Sequence, residues 1–168
     1  MVFFHFYIEL KSFISGQDLC PINWDSNGDY CYRFNVHPSQ GVPWQTARSA
    51  CRAYKGADLA SILTEEEHTY ILNRLTGFTN VGLTWIGFND IAIKGSYVWS
   101  DGSPVKYTNW AVGAPLPGFL KVPGCVVINP SRQGGNWSNR QCSSNKPYVC
   151  KRKRGTKRAK VSHEVLEF

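Results

Sequence analysis

The sequence lacks the closely spaced ligands that metal and redox sites require. It contains no Cys-x2-Cys pair, and its four histidines (His5, His37, His68 and His163) do not cluster with its six cysteines. Structural zinc sites are built from closely spaced Cys and His residues, so the pattern argues against zinc. Structural disulfides are the favoured role for the cysteines. No apolar run approaches the roughly 20 residues of a membrane-spanning helix.

Acidic residues are missing from one long stretch of the chain. Between Gly102 and His163 there is no Asp or Glu. The basic residues of this stretch that precede Cys150 are Lys106, Lys121, Arg132, Arg140 and Lys146. Ca²⁺ takes six to eight oxygen ligands, and its affinity rises with the number of carboxylates. The stretch is therefore not expected to bind calcium at micromolar concentration.

Basic residues are concentrated at the C-terminal end. Residues 1–150 carry twelve Lys or Arg and ten Asp or Glu, whereas residues 151–168 carry seven and two. The body of the chain is therefore nearly neutral. We interpret residues 152–168 as a basic, disordered tail, because the charge run at 151–160 offers little to bury.

Six cysteines in 168 residues are an even number, which is typical of a disulfide framework in an oxidising compartment. The cysteines are Cys20, Cys31, Cys51, Cys125, Cys142 and Cys150. They predict an extracellular protein, either secreted or part of a membrane receptor ectodomain. Residues 1–16 begin with an apolar segment but have no preceding positive charge. We interpret them as a signal peptide or leader, with a β-strand as the open alternative.

The aromatic stretch from Trp85 to Trp110 organises the chain. The tracts around Trp85 and Trp99 are aromatic and β-branched, which favours short strands. The Asp101-Gly102 pair and the following Pro104 indicate a turn after the second tract. A core hairpin followed by a polar excursion is predicted.

One hairpin signal and two helix signals precede this stretch. Asn27-Gly28 predicts a tight turn that would bring Cys20 and Cys31 within bonding range. Apolar residues recur every three or four positions over 43–54, with Pro43 fitting the first helical position. A second helix is expected from Thr64, where Thr-Glu-Glu-Glu forms a capping box whose glutamates lie in a solvated first turn.

The second half of the chain is less regular. Residues 111–124 contain three prolines and little periodicity, which predicts a long loop, and such loops inside compact domains are usually functional. A strand is expected over 125–128, and residues 136–139 are interpreted as a turn. Residues 148–150 close the domain, which we place at 17–151.

The order of these motifs resembles the C-type lectin-like domain. The resemblance covers about residues 20–151 and is closest in wording to modules of the mannose receptor and secretory phospholipase A2 receptor family. It rests on Cys20…Cys31, Trp44-xx-Ala47-xxx-Cys51, Gly56-Ala57-Asp58-Leu59-Ala60-Ser61-Ile62, Trp85-Ile86-Gly87, Trp99-Ser100-Asp101-Gly102, Asn109-Trp110, Cys125, Trp137 and Cys142…Cys150.

The resemblance implies an α+β fold with two helices, two small antiparallel sheets, a long loop and three disulfides. By the family pattern the pairs are Cys20–Cys31, Cys51–Cys150 and Cys125–Cys142. Family members that bind sugar do so through Ca²⁺ held by a Glu-Pro-Asn or Gln-Pro-Asp triplet, a Glu before the next cysteine, and an Asn-Asp pair after a later tryptophan.

This sequence departs from that calcium pattern. The triplet aligns with Ala114-Pro115-Leu116, which keeps the family's cis proline but has lost both oxygen-bearing side chains. Residues 122–124 contain no Glu, and Ser138-Asn139 replace the Asn-Asp pair. At the secondary calcium position Asp90 remains, but Lys94 replaces an acid. No metal or other cofactor is expected, and Asp90 and Asn139 are interpreted as vestiges of the site.

We expect a calcium-independent recognition module that binds a protein or glycan ligand. The candidate surface consists of Ala114, Pro115, Leu116, Phe119, Leu120, Lys121, Ser138 and Asn139. Its exposed apolar residues beside a lysine are typical of a contact patch, although Phe119 and Leu120 could instead pack on the core. A calcium-dependent carbohydrate-binding domain of an endocytic receptor is the alternative.

A further alternative is polyanion binding, for example to heparan sulfate, through the basic run. Its residues are Lys151, Arg152, Lys153, Arg154, Lys157, Arg158 and Lys160. Nucleic acid is not expected as a partner, because the disulfide framework argues against a nuclear location. An enzyme is not expected either, since no nucleophile and base can be paired from their spacing.

Overall fold

The computed structural model describes residues 20–37, 39, 41–116 and 124–155. The leader at 1–16 therefore lies outside the described residues. Within these ranges the chain forms two α-helices and eight strands. They are β1 (Asp25–Asn27), β2 (Tyr30–Asn35), α1 (Trp44–Arg52), β3 (Ala57–Leu59), α2 (Glu65–Thr76), β4 (Thr84–Asn89), β5 (Val98–Trp99), β6 (Gly124–Ile128), β7 (Trp137–Gln141) and β8 (Tyr148–Lys153).

The strands form one mixed sheet in the order β1-β2-β8-β4-β6-β7, with β3 paired to β8 and β5 paired to β4. The two small antiparallel sheets that were expected are present as its two halves, β1-β2-β8 with β3 and β4-β6-β7 with β5. The two halves are joined where β4 and β8 run parallel at Trp85 and Tyr148. There the Trp85 backbone N–H donates to the Pro147 carbonyl at 2.8 Å, a contact between distant segments that no local pattern encodes.

Both predicted hairpins are present. β1 pairs with β2 across the Asn27-Gly28 turn, where Gly28 has a φ of +53°. This left-handed conformation explains the glycine, since other residues adopt it at a cost. In the aromatic stretch Phe88 pairs with Trp99, and their rings stack with centroids 4.5 Å apart.

The helices follow their sequence signals closely. α1 begins one residue later than predicted, because Pro43 is the N-cap residue rather than the first helical one. At α2 the Thr64 hydroxyl oxygen accepts from the Glu67 backbone N–H at 3.2 Å, as a capping threonine should. Ile71 and Leu75 of α2 are fully buried against the sheet.

The first turn of α2 is not wholly solvated, contrary to the prediction. Glu67 is buried, and its carboxylate forms an ion pair with the buried Nζ of Lys151 on β8. The same carboxylate accepts from the Tyr32 hydroxyl at 2.5 Å and from the Leu63 backbone N–H at 2.8 Å. Burial and the contact with Glu67 raise the pKa of Tyr32 far above its usual value of 10.0, which keeps the hydroxyl a donor. A buried carboxylate needs such partners, and here they come from three separate segments.

β8 extends through Lys153, so the ordered part of the chain goes beyond the predicted end of the domain at residue 151. Arg152 pairs with Cys31 of β2 and with Ala57 of β3. Residues 152–168 were interpreted as a disordered tail, and this is wrong for Arg152 and Lys153. Pairing to strands on both sides and burial of Lys151 outweigh the run's high charge.

The core is rich in indole rings, and two of their N–H groups donate to backbone carbonyls. Trp44 Nε1 donates to the Ile86 carbonyl at 2.9 Å, and Trp85 Nε1 donates to the Val42 carbonyl at 3.0 Å. Trp99 Nε1 is buried without an acceptor among the described residues. Its ring instead contacts Phe88 and the edge of Trp137, which lies 5.7 Å away between centroids.

The three disulfides implied by the resemblance are confirmed. Cys20 bonds Cys31, Cys51 bonds Cys150, and Cys125 bonds Cys142. The second of these spans 99 residues and ties α1 to β8. Within the described ranges, no helix has both the length and the apolar character needed to cross a bilayer.

Candidate functional site

The root of the long loop is held against β7 by backbone hydrogen bonds. The Ala111 N–H donates to the Trp137 carbonyl at 2.8 Å, and the Trp137 N–H donates to the Asn109 carbonyl at 2.7 Å. Trp137 itself belongs to a strand, because β7 pairs with β6 over its whole length. The turn predicted over 136–139 was therefore wrong. Residues 137–139 lie in a strand, so their side chains point alternately to the two faces of the sheet.

Five of the predicted surface residues come together here. The Ala114–Pro115 peptide is cis, as the resemblance implied, and Leu116 follows with 45% of its surface exposed. The Leu116 N–H donates to the Asn139 Oδ1 atom at 3.0 Å, which fixes the loop to β7 near Ser138. The other predicted surface residues, Phe119, Leu120 and Lys121, lie outside the described residues.

On one side of Leu116 is a cavity of about 390 Å³ that contains Asp90. Both carboxylate oxygens of Asp90 accept backbone N–H groups, Oδ1 from Gly124 at 2.5 Å and Oδ2 from Gly95 at 2.9 Å. Tyr97 and Lys94 also line this cavity. Burial, followed by the charge of Asp90, raises the pKa of Tyr97 to about 12, so its hydroxyl stays neutral. Asp90 therefore connects the segment at Gly95 to the start of β6 through its hydrogen bonds.

On the other side of the loop is a second cavity, of about 210 Å³. Its polar lining consists of two arginines, two asparagines and a serine: Arg132, Arg140, Asn129, Asn136 and Ser138. The apolar part of the rim comes from the loop and includes Val112 and Leu116. Both arginines were recognisable as basic residues of an acid-free stretch, but they were not predicted to belong to the site. Their convergence depends on the β6–β7 pairing, and no spacing rule would have predicted it.

A buried histidine supports the turn that leads into β7. Trp137 Nε1 donates to His68 Nδ1 at 3.3 Å, so Nδ1 is the acceptor and Nε2 carries the proton. His68 Nε2 then donates to the Gly134 carbonyl at 3.0 Å. Burial lowers the pKa of His68 below 6.5, although Gly134 and Glu65 oppose this shift. The neutral imidazole thus connects α2 to the strand that carries Ser138 and Asn139.

Comparison with known proteins identifies the family. The family model for the Lectin C-type domain matches residues 40–152 of this chain. The chain belongs to the C-type lectin domain family. Human C-type mannose receptor 2 is 41% identical to it over 136 residues, and the rabbit (Oryctolagus cuniculus) secretory phospholipase A2 receptor is 33% identical over 135. These alignments cover 80% and 79% of the chain but only 9% of each receptor, so the chain spans a small part of these relatives.

Solved structures of similar chains confirm the fold. The C-type lectin CEL-I from Cucumaria echinata superposes with a TM-score of 0.72 at 29% identity, covering 83% of this chain and all of that one. A calcium-independent type II antifreeze protein superposes with a TM-score of 0.70 at 26% identity, covering 82% and 97%. Domains of this family are generally binding modules rather than enzymes. The predicted family, its narrower likeness to the two receptors and the α+β fold are confirmed.

The basic run is less available to a ligand than its composition suggests. Lys151 is only 5% exposed, and its Nζ donates to the Ser61 carbonyl at 3.0 Å and lies 4.1 Å from the Tyr30 ring centroid. It therefore cannot contribute to a polyanion surface. Arg152 and Arg154 are half-buried and Lys153 is exposed, whereas Lys157, Arg158 and Lys160 lie outside the described residues.

Proposed function

We propose that this C-type lectin domain is an extracellular recognition module that binds a protein or glycan ligand on its long-loop surface without calcium. The surface is defined by Ala114, Pro115, Leu116, Ser138 and Asn139. We propose no enzymatic activity, in keeping with the family's general role in binding. The cysteines, all six paired, favour an oxidising compartment outside the cell.

The observation that carries the proposal is the state of the oxygen atoms at this surface. Ala114, Leu116 and Gly124 bring no side-chain oxygen. Both carboxylate oxygens of Asp90 accept hydrogen bonds from backbone N–H groups, and Asn139 Oδ1 accepts one from the Leu116 N–H. Among the described residues, no group of three or more His, Cys, Asp or Glu side chains could hold a metal ion. This set of oxygen atoms does not fit Ca²⁺, which requires six to eight oxygen ligands that are free to coordinate it.

The charge of the surroundings supports the same proposal. Arg132 and Arg140 line the cavity beside the loop, and Lys94 lines the one that holds Asp90. A divalent cation entering here would be repelled by ammonium and guanidinium groups instead of attracted by carboxylates. A negatively charged ligand, or a ligand whose apolar surface packs on Leu116, would not be repelled in this way.

A glycan array probed in excess EDTA and in excess CaCl₂ tests the calcium part of the proposal. The expected result is the same set of bound glycans, with the same intensities, in both buffers. Binding that appears with CaCl₂ and disappears in EDTA would favour the alternative, a calcium-dependent carbohydrate-binding domain. An array without any bound glycan would remove the glycan class and leave a protein ligand.

The position of the surface is tested with Leu116→Ser, whose matched control is Ile22→Ser. Both side chains are exposed, at 45% and 88%, so neither change should disturb the core. We expect Leu116→Ser to weaken every interaction detected for the wild type and Ile22→Ser to leave it unchanged. Equal binding by the two variants would place the ligand elsewhere on the domain.

A further inference from the structure

The cavity beside the long loop combines a concave shape with charge of one sign. It is concave, with a volume of about 210 Å³, and its charged side chains are of one sign, Arg132 and Arg140. No Asp or Glu occurs between Gly102 and His163, so neither the loop nor β6, β7 and the turn between them can neutralise these arginines. Clefts lined by one sign of charge concentrate ligands of the opposite sign.

The arginines differ in how much of their hydrogen-bonding capacity is already used. Arg140 donates Nη1 to the Asn139 carbonyl at 2.8 Å, which orients the guanidinium. Arg132 is exposed, and its guanidinium makes no hydrogen bond to any other described residue. Burial, followed by the charge of Arg140, lowers the pKa of Lys146, so the positive potential of Arg140 reaches beyond the cavity. Planar guanidinium groups bind carboxylate and sulfate oxygens through paired N–H donors.

The neutral part of the lining favours a sugar over an isolated ion. Asn129, Asn136 and Ser138 offer amide and hydroxyl groups, which both donate to and accept from sugar hydroxyls. Asn136 begins an Asn-Trp-Ser sequon, and its amide nitrogen donates to Asn109 Oδ1 at 3.3 Å. Val112 is fully exposed at the rim and supplies an apolar contact for the less polar face of a sugar ring. Ligand pockets generally combine a few such polar groups with apolar walls.

We infer that this cavity binds an anionic monosaccharide unit of a glycan, with Arg132 and Arg140 contacting its carboxylate or sulfate group. The inference rests on the proposed function, because it assigns a ligand class to one side of the same surface. The two arginines would hold the negatively charged group of the sugar directly, without a bound cation.

The test uses polymer conjugates of single sugars in excess EDTA and at roughly physiological ionic strength, about 0.15 M. The probes are glucuronic acid and galactose 6-sulfate, with glucose and galactose as neutral partners and poly-glutamate as an acidic protein-like probe. Binding is measured by biolayer interferometry on protein produced without N-glycosylation. We expect binding to at least one anionic sugar conjugate, binding that weakens as salt rises, and none to the neutral sugars. The two anionic probes separate carboxylate from sulfate.

Arg132→Gln is the decisive variant, since among the described residues the Arg132 guanidinium makes no hydrogen bond that the fold would lose. Loss of a hydrogen-bonded charge predicts about tenfold weaker binding or more. Arg140→Gln should weaken binding similarly, with its unfolding temperature measured alongside because Arg140 also bonds the Asn139 carbonyl. The matched control is Arg52→Gln, which removes the same charge from an exposed position in the last turn of α1 and should leave binding unchanged.

Several results would overturn the inference. These are no binding to either anionic sugar conjugate, binding of poly-glutamate in preference to both, or an equal loss for the Arg52 and Arg132 variants, which would indicate diffuse charge attraction. Failure of the proposed function gives a different pattern. In that case the neutral conjugates bind only when CaCl₂ replaces EDTA, and the arginine variants behave as wild type.

Discussion

The ion pair between Lys151 and Glu67 provides the sharpest stability prediction. The change is Lys151→Met, which keeps most of the length of the side chain but removes its ammonium group. The side chains of Lys151 and Glu67 are only 4% and 11% exposed. Without the ammonium group, the Glu67 carboxylate stays buried with two remaining donors, the Tyr32 hydroxyl and the Leu63 N–H. Ser61 loses its contacts with Lys151 Nζ as well.

Removing one partner of a buried pair typically costs about 3–5 kcal/mol. We therefore expect the free energy of unfolding to fall by that amount in Lys151→Met. The assay is denaturant unfolding with intact disulfides, followed by tryptophan fluorescence. Lys153→Met is the matched control, because it makes the same change two residues later on β8 at an exposed position, and it should cost less than about 0.5 kcal/mol.

The double variant Lys151→Met with Glu67→Gln tests the reason for the loss. Because no unpaired charge remains buried, its cost should be smaller than the sum of the two single costs by about 1–3 kcal/mol. Equal stability of Lys151→Met and Lys153→Met would refute the reasoning. Strict additivity in the double variant would show that the two charges do not interact.

Two further predictions concern His68 and the disulfides. Burial lowers the pKa of His68, so the unfolded chain binds a proton at this residue more readily than the folded state does. The stability of the fold should therefore be full above pH 6.5 and should decrease as the pH falls below it. In unfolding experiments the loss of stability at low pH should be smaller for His68→Gln and unchanged for His37→Gln, whose side chain is exposed. The opposite result would show that His68 is not the group responsible. Replacing the 99-residue Cys51–Cys150 link with serines should cost about 5 kcal/mol, against about 3 for the 11-residue Cys20–Cys31 link. Equal losses in thermal unfolding would argue against the chain-entropy explanation.

Local signals in the sequence were enough for the elements that depend on neighbours along the chain. The Thr64 cap, the Asn27-Gly28 turn and the hairpin that brings Phe88 onto Trp99 were all predictable from short motifs. In each case the residues that decide the structure lie within a few positions of one another, or share a simple alternation.

The errors arose where distant segments decide the structure. Glu67 stands in a run of glutamates that favours a solvated helix start, but its partner Lys151 comes from the last strand. Lys151 in turn stands in a charge run that favours disorder, and pairing with β2 and β3 orders it. Trp137 and Asn139 follow two glycines, which favours a turn, but in the structure they lie in β7 and pair with β6.

The candidate site could be predicted only in part for the same reason. The family pattern located Ala114, Pro115, Leu116, Ser138 and Asn139, and it also indicated which carboxylates were missing. It could not predict that the oxygens of Asp90 and Asn139 would be taken by the N–H groups of Gly95, Gly124 and Leu116. Nor could it place Arg132 and Arg140 in one cavity, since only the fold brings those two segments together.

Calorimetric titration of the domain with CaCl₂ tests the central claim most directly. We predict no saturable heat at sub-millimolar calcium, because Asp90 and Asn139 already accept protein N–H groups and Asp90 is the one acidic side chain among the described residues that line the two cavities. A saturable isotherm in that range, abolished by EDTA, would contradict it.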